Sequence, residues 1–217
     1  MRPSPSVSGD GVPQYVWDRV SVHYDRQLWF ERAAVRAAVE LLAGRGGERA
    51  LDVGTGTGEV LRQLARGPAR PGEVVGVDTS EAMLARVSQL PAGWSVQIGD
   101  ARCLPFGAAE FDAATACYVL HVLADADVAA ALAELRRVLR PGGRLVVVTP
   151  GIPARGPGRT LALALDRLAA RHPNRYGGLR ALDTRPALER AGFDIAKERW
   201  SLLGYPSICV LARRPGP

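Results

Sequence analysis

The stretch Leu51-Asp52-Val53-Gly54-Thr55-Gly56-Thr57-Gly58 does most to limit how this chain folds. A short apolar run, Ala50 to Val53, meets three glycines, and Glu59 to Ala65 then takes helical spacing. The order is strand, tight loop, helix. Glycines there let the backbone turn sharply and let a ligand lie against bare main chain, while the helix N-terminus offers free N–H groups. The dinucleotide spacing Gly-x-Gly-x-x-Gly is not met, because Glu59 stands where its last glycine belongs, and an acid there would face a pyrophosphate. The loop favours a ligand without phosphates, whose amino-acid end meets both donors and acceptors.

The same alternation continues. Val74 to Val77 reads as a strand and Ser80 to Gln89 as a helix; Trp94 to Ile98 and Phe111 to Ala116 read as strands, Asp125 to Leu139 as a helix, and Arg144 to Thr149 as a fifth strand. Strands alternating with helices imply parallel crossovers. Pro141-Gly142-Gly143 fits a helix stop and a turn. In the last third, Thr160 to Ala170 and Arg185 to Ala191 are helical, Gly192 is a helix C-cap, and Phe193 to Trp200 and Ser207 to Ala212 are strands. Their link is too short for a crossover, so that pair is antiparallel. The expected fold is α/β: a Rossmann-like, seven-stranded, mainly parallel sheet with an antiparallel last strand and helices on both faces. Residues 1–12 read as a flexible tail, 13–213 as one domain and 214–217 as a second tail. Within the domain, 13–45 form N-terminal helices belonging to a cap, and 150–185 a substrate-cap insertion.

With 217 residues, 47% hydrophobic and 23% charged, the chain has enough apolar surface to fold without staples. Cys103, Cys117 and Cys209 lack paired spacing, so a metal site is not expected and the three read as buried small residues. No apolar run spans a bilayer and no signal peptide is evident, which makes a cytoplasmic protein the expectation. The net charge of +6 raises nucleic acid or an anionic membrane as partners. Nearly all of it is arginine, interleaved with acids as in Glu134, Arg136, Arg137 and Arg140, so a solvated face is preferred and no nucleic acid is expected.

Val74-Val75-Gly76-Val77-Asp78 ends a strand in an acid about 20 residues beyond the glycines, where a carboxylate accepts from both ribose hydroxyls of a nucleoside. Its plain alternative is a helix N-cap, for which Ser80 is better placed. Together with Gly99-Asp100-Ala101, Phe111-Asp112-Ala113-Ala114-Thr115-Ala116 and Leu139-Arg140-Pro141-Gly142-Gly143-Arg144-Leu145, these segments resemble the class I S-adenosylmethionine-dependent methyltransferases from about Arg49 to Thr149.

The resemblance implies S-adenosylmethionine as cofactor and S-adenosylhomocysteine as product. It places Gly54, Thr55, Gly56 and Gly58 along the methionine and ribose, Asp78 on the ribose with Thr79 after it, Asp100 on the adenine amino group and the Ala101 amide on a ring nitrogen. Met83 sits where family members pack a side chain on adenine, and equally where a core methionine would. Cys117 and Tyr118 border the methionine end. Val22-His23-Tyr24-Asp25 looks like the family's aromatic-acid pair, so Tyr24 either closes over the cofactor or belongs to a plain amphipathic helix.

In such an enzyme the methyl is already activated, and in-line displacement chiefly needs an acceptor held in place, desolvated and, for some nucleophiles, deprotonated. His121 is the general-base candidate, against the commoner reading of a structural histidine; His172 and Tyr176 are weaker ones. An Asn/Asp-Pro-Pro-Tyr-like segment is missing at Ala116 to Leu120, which disfavours nucleobase methylation. The chain looks most like the branch acting on small metabolites, quinones and phospholipid headgroups, and oxygen, nitrogen, carbon and sulfur acceptors all stay open. Trp17, Trp29 and Phe30 allow a weak membrane-surface association, with a cap or pocket role preferred. The rival classes are a nicotinamide-dependent oxidoreductase and a non-catalytic module that binds S-adenosylmethionine.

Overall fold

The computed structural model describes residues 24–68, 70–171 and 180–216. In chain order the elements are α1 (Tyr24–Leu42), β1 (Arg49–Val53), α2 (Glu59–Arg66), β2 (Glu73–Asp78), α3 (Glu81–Leu84), β3 (Trp94–Ile98), β4 (Phe111–Cys117), a 3-10 turn (Leu120–Val122), α4 (Asp125–Val138), β5 (Leu139–Pro150), α5 (Pro157–Arg171), α6 (Arg185–Arg190), β6 (Asp194–Ser201) and β7 (Ser207–Arg213).

The strands form one sheet in the order β3-β2-β1-β4-β5-β7-β6. β1 to β5 are parallel, and β7 runs antiparallel to both β5 and β6. β1, β4, the second half of β5 and β7 are buried along nearly their whole length because they are covered on both faces. One face carries Leu132, Leu135 and Val138 of α4 and Leu188 of α6 against Leu51, Val53, Ala114, Ala116, Leu145 and Val147. The other carries α1 and α2 against Ala50, Ala113, Val146, Val148 and Cys209. The outer strand β6 is exposed along most of its length and carries Lys197, Glu198 and Arg199, charges that discourage edge-to-edge pairing. From β1 the order steps one way to β2 and β3 and the other way to β4 and β5. That reversal opens a crevice beyond the C-terminal ends of β1 and β4, where ligands of open parallel sheets gather.

The reading of the sheet and its reversed last strand agrees with the structure, and three local readings change. The helix expected over Ser80 to Gln89 ends at Leu84, since Arg86 and Val87 turn back to Met83 and Leu84 at i−3, and Pro91 follows. Arg140 to Gly143 bulges within a longer β5, with Gly142 at φ +77 and bonded to the Arg214 carbonyl. Cys117 and Cys209 are buried as expected, whereas Cys103 is exposed. Gly192, at φ +80, caps α6, with the Phe193 amide reaching back to the Leu188 carbonyl.

Candidate cofactor and acceptor site

The glycine loop is fastened to the neighbouring strand by its own backbone. The Gly54 and Thr55 amides donate to the Val77 carbonyl at 2.9 and 3.0 Å. Gly54, Gly56 and Gly58 all take positive φ, +72, +52 and +83, which a side chain would strain. A Cβ on Gly54 would stand 2.7 Å from Cβ of Val119, so the loop and the segment after β4 are packed main chain against side chain.

Asp78, at the end of β2, closes this loop. Its Oδ2 accepts from the Gly56 amide at 2.8 Å and its Oδ1 from the Ser80 amide at 2.9 Å. These bonds orient Asp78, and a carboxylate, with about four lone-pair positions, can accept several hydrogen bonds at once. Ser80 caps α3 through the Met83 amide, as the sequence suggests, and Met83 is buried. The Gly99 amide donates to the Asp78 carbonyl, which sets Asp100 beside Asp78 at one edge of the crevice. Asp100 carries a partner that sequence spacing does not reveal. Arg102 donates to it from the backbone at 2.9 Å and from Nε and Nη2 at 3.0 and 2.7 Å, and also reaches Asp127 at the start of α4. This guanidinium holds the Asp100 carboxyl below the usual range, with partial burial opposing it. Ala101 is buried behind it.

On the other side of the crevice Cys117 ends β4, buried, its thiol pushed well up by burial and the nearby Asp52 charge, which removes it as a nucleophile. Tyr118 takes φ +57, uncommon for a residue with a side chain, and its hydroxyl lies 2.7 Å from Ser207 Oγ at the start of β7. His121 sits in the 3-10 turn, 4% exposed, its ring at right angles to Tyr118 with centroids 6.1 Å apart. Burial, then the positive charge of Arg180, lowers it to about 3, so the imidazole is neutral. Arg180 clamps the turn, donating to the carbonyls of His121 at 2.8 Å and Leu123 at 2.6 Å.

Two site groups escape sequence reasoning. Asp52, 1% exposed, accepts from Thr55 Oγ1 at 2.5 Å and Thr115 Oγ1 at 2.6 Å. Burial nevertheless pushes it up to about 7, against the pull of both hydroxyls and with the Asp78 charge adding to the rise. Thr57 Oγ1 and His121 Nδ1 are, with Thr184 Oγ1, the buried side-chain polar atoms without a hydrogen-bond partner among the described residues. An enclosed carboxylate and an unpaired hydroxyl in one glycine-lined cradle fit a ligand that brings a cation and further polar groups. Glu59 fills the first turn of α2, paired with Arg62 at 2.8 Å, where a pyrophosphate would otherwise sit.

Past β5 a cavity of about 220 Å³ is lined by Gly151, Ile152, Leu182, Trp200 and Ile208, with the Asp183–Arg185 pair as its charged groups. Its lining comes partly from the 150–185 segment expected to cap the acceptor. The side chains of Tyr24 and Trp29, and residues Trp17, His23, His172 and Tyr176, lie outside the described residues. Among the described residues no cluster of metal-binding side chains occurs, and no helix is long and apolar enough to cross a membrane.

A methyltransferase-domain family model matches residues 50–143, from β1 to the bulge of β5. The ubiquinone/menaquinone biosynthesis C-methyltransferase UbiE of Syntrophotalea carbinolica is 39% identical over 174 residues, which cover 76% of this chain and 70% of that one. The chain belongs to the class I S-adenosylmethionine-dependent methyltransferases. The 2-phytyl-1,4-naphtoquinone methyltransferase of Synechococcus elongatus is 35% identical over 154 residues, covering 66% of this chain and 65% of its own. The chain spans 33–65% of the length of several further curated relatives it matches. In shape it resembles the putative methyltransferase bound to the Trm112 activator of Haloferax volcanii, at TM-score 0.73 and 18% identity, over 92% of this chain and 97% of that one. Membership in this family sets the nicotinamide reading aside.

Proposed function

We propose that this methyltransferase-family protein moves the methyl group of S-adenosylmethionine to an apolar, quinone-like small molecule. The observation that carries the cofactor half is the cradle at the crevice: Gly54 to Gly58 bound to Asp78, over the enclosed carboxylate of Asp52. In this reading Asp52 faces the amino-acid ammonium, Thr57 Oγ1 and the loop amides serve the same end, Asp78 and Thr79 take the ribose, and Met83, Asp100 and Ala101 take the adenine. Asp100 then shares its oxygens between Arg102 and the adenine amino group. Cys117 and Tyr118 border the methionine end, and Tyr24 is assigned to close over the cofactor. When bound, the cofactor supplies a methyl group already activated on a sulfonium.

The acceptor half is supported by relatives at 35% and 39% identity that are named for quinones, and by the cavity beside Trp200 and Ile152. The acceptor's polar end is assigned to His121, in the turn after β4 beside Tyr118. Its unpaired Nδ1 accepts a hydrogen bond, and its lowered basicity suits it to orienting a hydroxyl more than to keeping a proton. Replacing His121 by Ala is expected to lower turnover on the order of 100-fold with cofactor affinity unchanged.

Calorimetric titration with S-adenosylmethionine, S-adenosylhomocysteine and NADH tests the first half, and methyl transfer to demethylated naphthoquinones the second. Saturable binding of the first two ligands, lost in Asp78→Ala, is the expected result. Binding of NADH alone overturns the cofactor reading. Tight cofactor binding without transfer to any quinone overturns the acceptor reading.

A further inference from the structure

We propose that the corner built from α5, the β6–β7 turn and Phe30 of α1 docks on an anionic lipid surface. Helix α5 is arranged the wrong way round for a helix that only covers a core. It buries Ala162 and Ala169 and leaves Leu161 and Leu168 exposed at 47% and 39%, seven residues apart and so on one side of the helix. Arg171, three residues beyond Leu168, is exposed on that side and Arg167 is exposed next to it at the edge, and no carboxylate forms an ion pair with either among the described residues. The helix's one acid, Asp166, accepts instead from the Ala181 amide at 3.0 Å.

The leucines do not stand alone. Of the seven large hydrophobic side chains exposed among the described residues, six lie here, namely Phe30, Leu161, Leu168, Trp200, Leu202 and Leu203, the last at 76%. Close contacts tie α5, the β6–β7 turn and α1 together at this corner. Leu202 rests on Gly158 of α5, where a Cβ would come within 3.0 Å of its Cδ2. Gly204 presses on the Phe30 carbonyl, and the Phe30 ring lies 5.8 Å from Tyr205. Together they make one apolar belt edged by arginine.

Leucine, tryptophan and phenylalanine beside unpaired arginine is the composition that settles at a headgroup–acyl boundary, where the apolar groups leave water and the guanidinium groups meet phosphate. The net charge of +6 favours an anionic surface. Trp200 belongs both to the belt and to the cavity, so a lipid-dissolved molecule would have the shortest way in at the docked corner. The docking does not depend on which acceptor is methylated.

Sedimentation with phosphatidylcholine vesicles, with and without phosphatidylglycerol, tests it on the full chain without cofactor. The protein is expected to pellet with the phosphatidylglycerol vesicles at low salt and to be released by high salt. The variants Leu202→Asp/Leu203→Asp and Arg167→Glu/Arg171→Glu are each expected to weaken binding by roughly 20-fold or more. Both should keep wild-type thermal unfolding and wild-type titration with S-adenosylmethionine, which separates this result from the cofactor reading. Wild-type protein that stays in the supernatant with anionic vesicles overturns the proposal and assigns the belt to a protein partner or to the chain's own N-terminal residues. Sedimentation that either variant leaves unchanged overturns it equally.

Discussion

A carboxylate enclosed as fully as Asp52 is comfortable as an anion only when a cation joins it. Two threonine hydroxyls do not suffice, and burial lifts it to about 7. If the ammonium of the cofactor is that cation, binding requires the deprotonated acid. Affinity for S-adenosylmethionine should then rise up to tenfold per pH unit as pH climbs toward 7. It should level there and fall again once an α-amino group itself loses its proton, at about 8. Asp52→Asn keeps the size and one acceptor oxygen but removes the charge. It is expected to weaken binding by about tenfold or more near neutral pH and to erase the acid limb, which calorimetry across the range reads directly. An acid limb that survives in Asp52→Asn would show that another group titrates. Tyr118 shows a different single-residue effect: a left-handed backbone held by its hydroxyl contact to Ser207, at the point where β4 gives way to the His121 turn.

Among elements, the loop between β1 and α2 fits the segment after β4 so closely that neither can change alone. Gly54→Ala brings the cost of a left-handed alanine, roughly 1–2 kcal/mol, and drives its new methyl into Val119, 2.7 Å away. Urea denaturation should show a loss of about 2–5 kcal/mol, since overpacking adds a further cost of typically 1–3. The double variant Gly54→Ala/Val119→Ala relieves the clash but not the strain, and should recover part of the loss. No recovery would mean that Val119 is not what confines the loop. This loop was legible in the sequence because glycine spacing and an abrupt change from strand to helix report local backbone geometry, and the same holds for Asp78 and the Ser80 cap. The sheet order followed from alternation and from one link too short to cross over. What escaped depends on distant partners. Asp52 is ordinary in the string and becomes unusual only when β4 brings Thr115 beside it, 63 residues on. Arg102 meets Asp100 only because the turn after β3 folds it back, a contact that no sequence spacing reports. The short α3 was misread because helical periodicity continues in the sequence beyond the point where the backbone tightens toward Pro91.

For the whole molecule, the two most enclosed titrating groups of the crevice act on stability in opposite directions. Asp52 rises from 3.8 to about 7 on folding, so between those values the native chain keeps a proton that the unfolded chain has lost, and stability falls as pH rises. His121 drops from 6.5 to about 3, so across that window the unfolded chain holds the extra proton, and stability falls as pH is lowered. The windows overlap from about 4 to 6.5, where each contributes a slope of up to about 1.4 kcal/mol per pH unit and the two nearly cancel. Ion-paired acids such as Asp112, Glu134 and Asp183, lowered on folding, work below that range and are partly screened by solvent. Wild-type stability from urea denaturation should therefore be nearly flat between about pH 4.5 and 6.5. Asp52→Asn should uncover the histidine and gain stability as pH rises; His121→Gln should uncover the aspartate and lose stability over the same range. Three flat, parallel curves would show that neither group is enclosed in solution, and the crevice would then be open to water where the structure closes it.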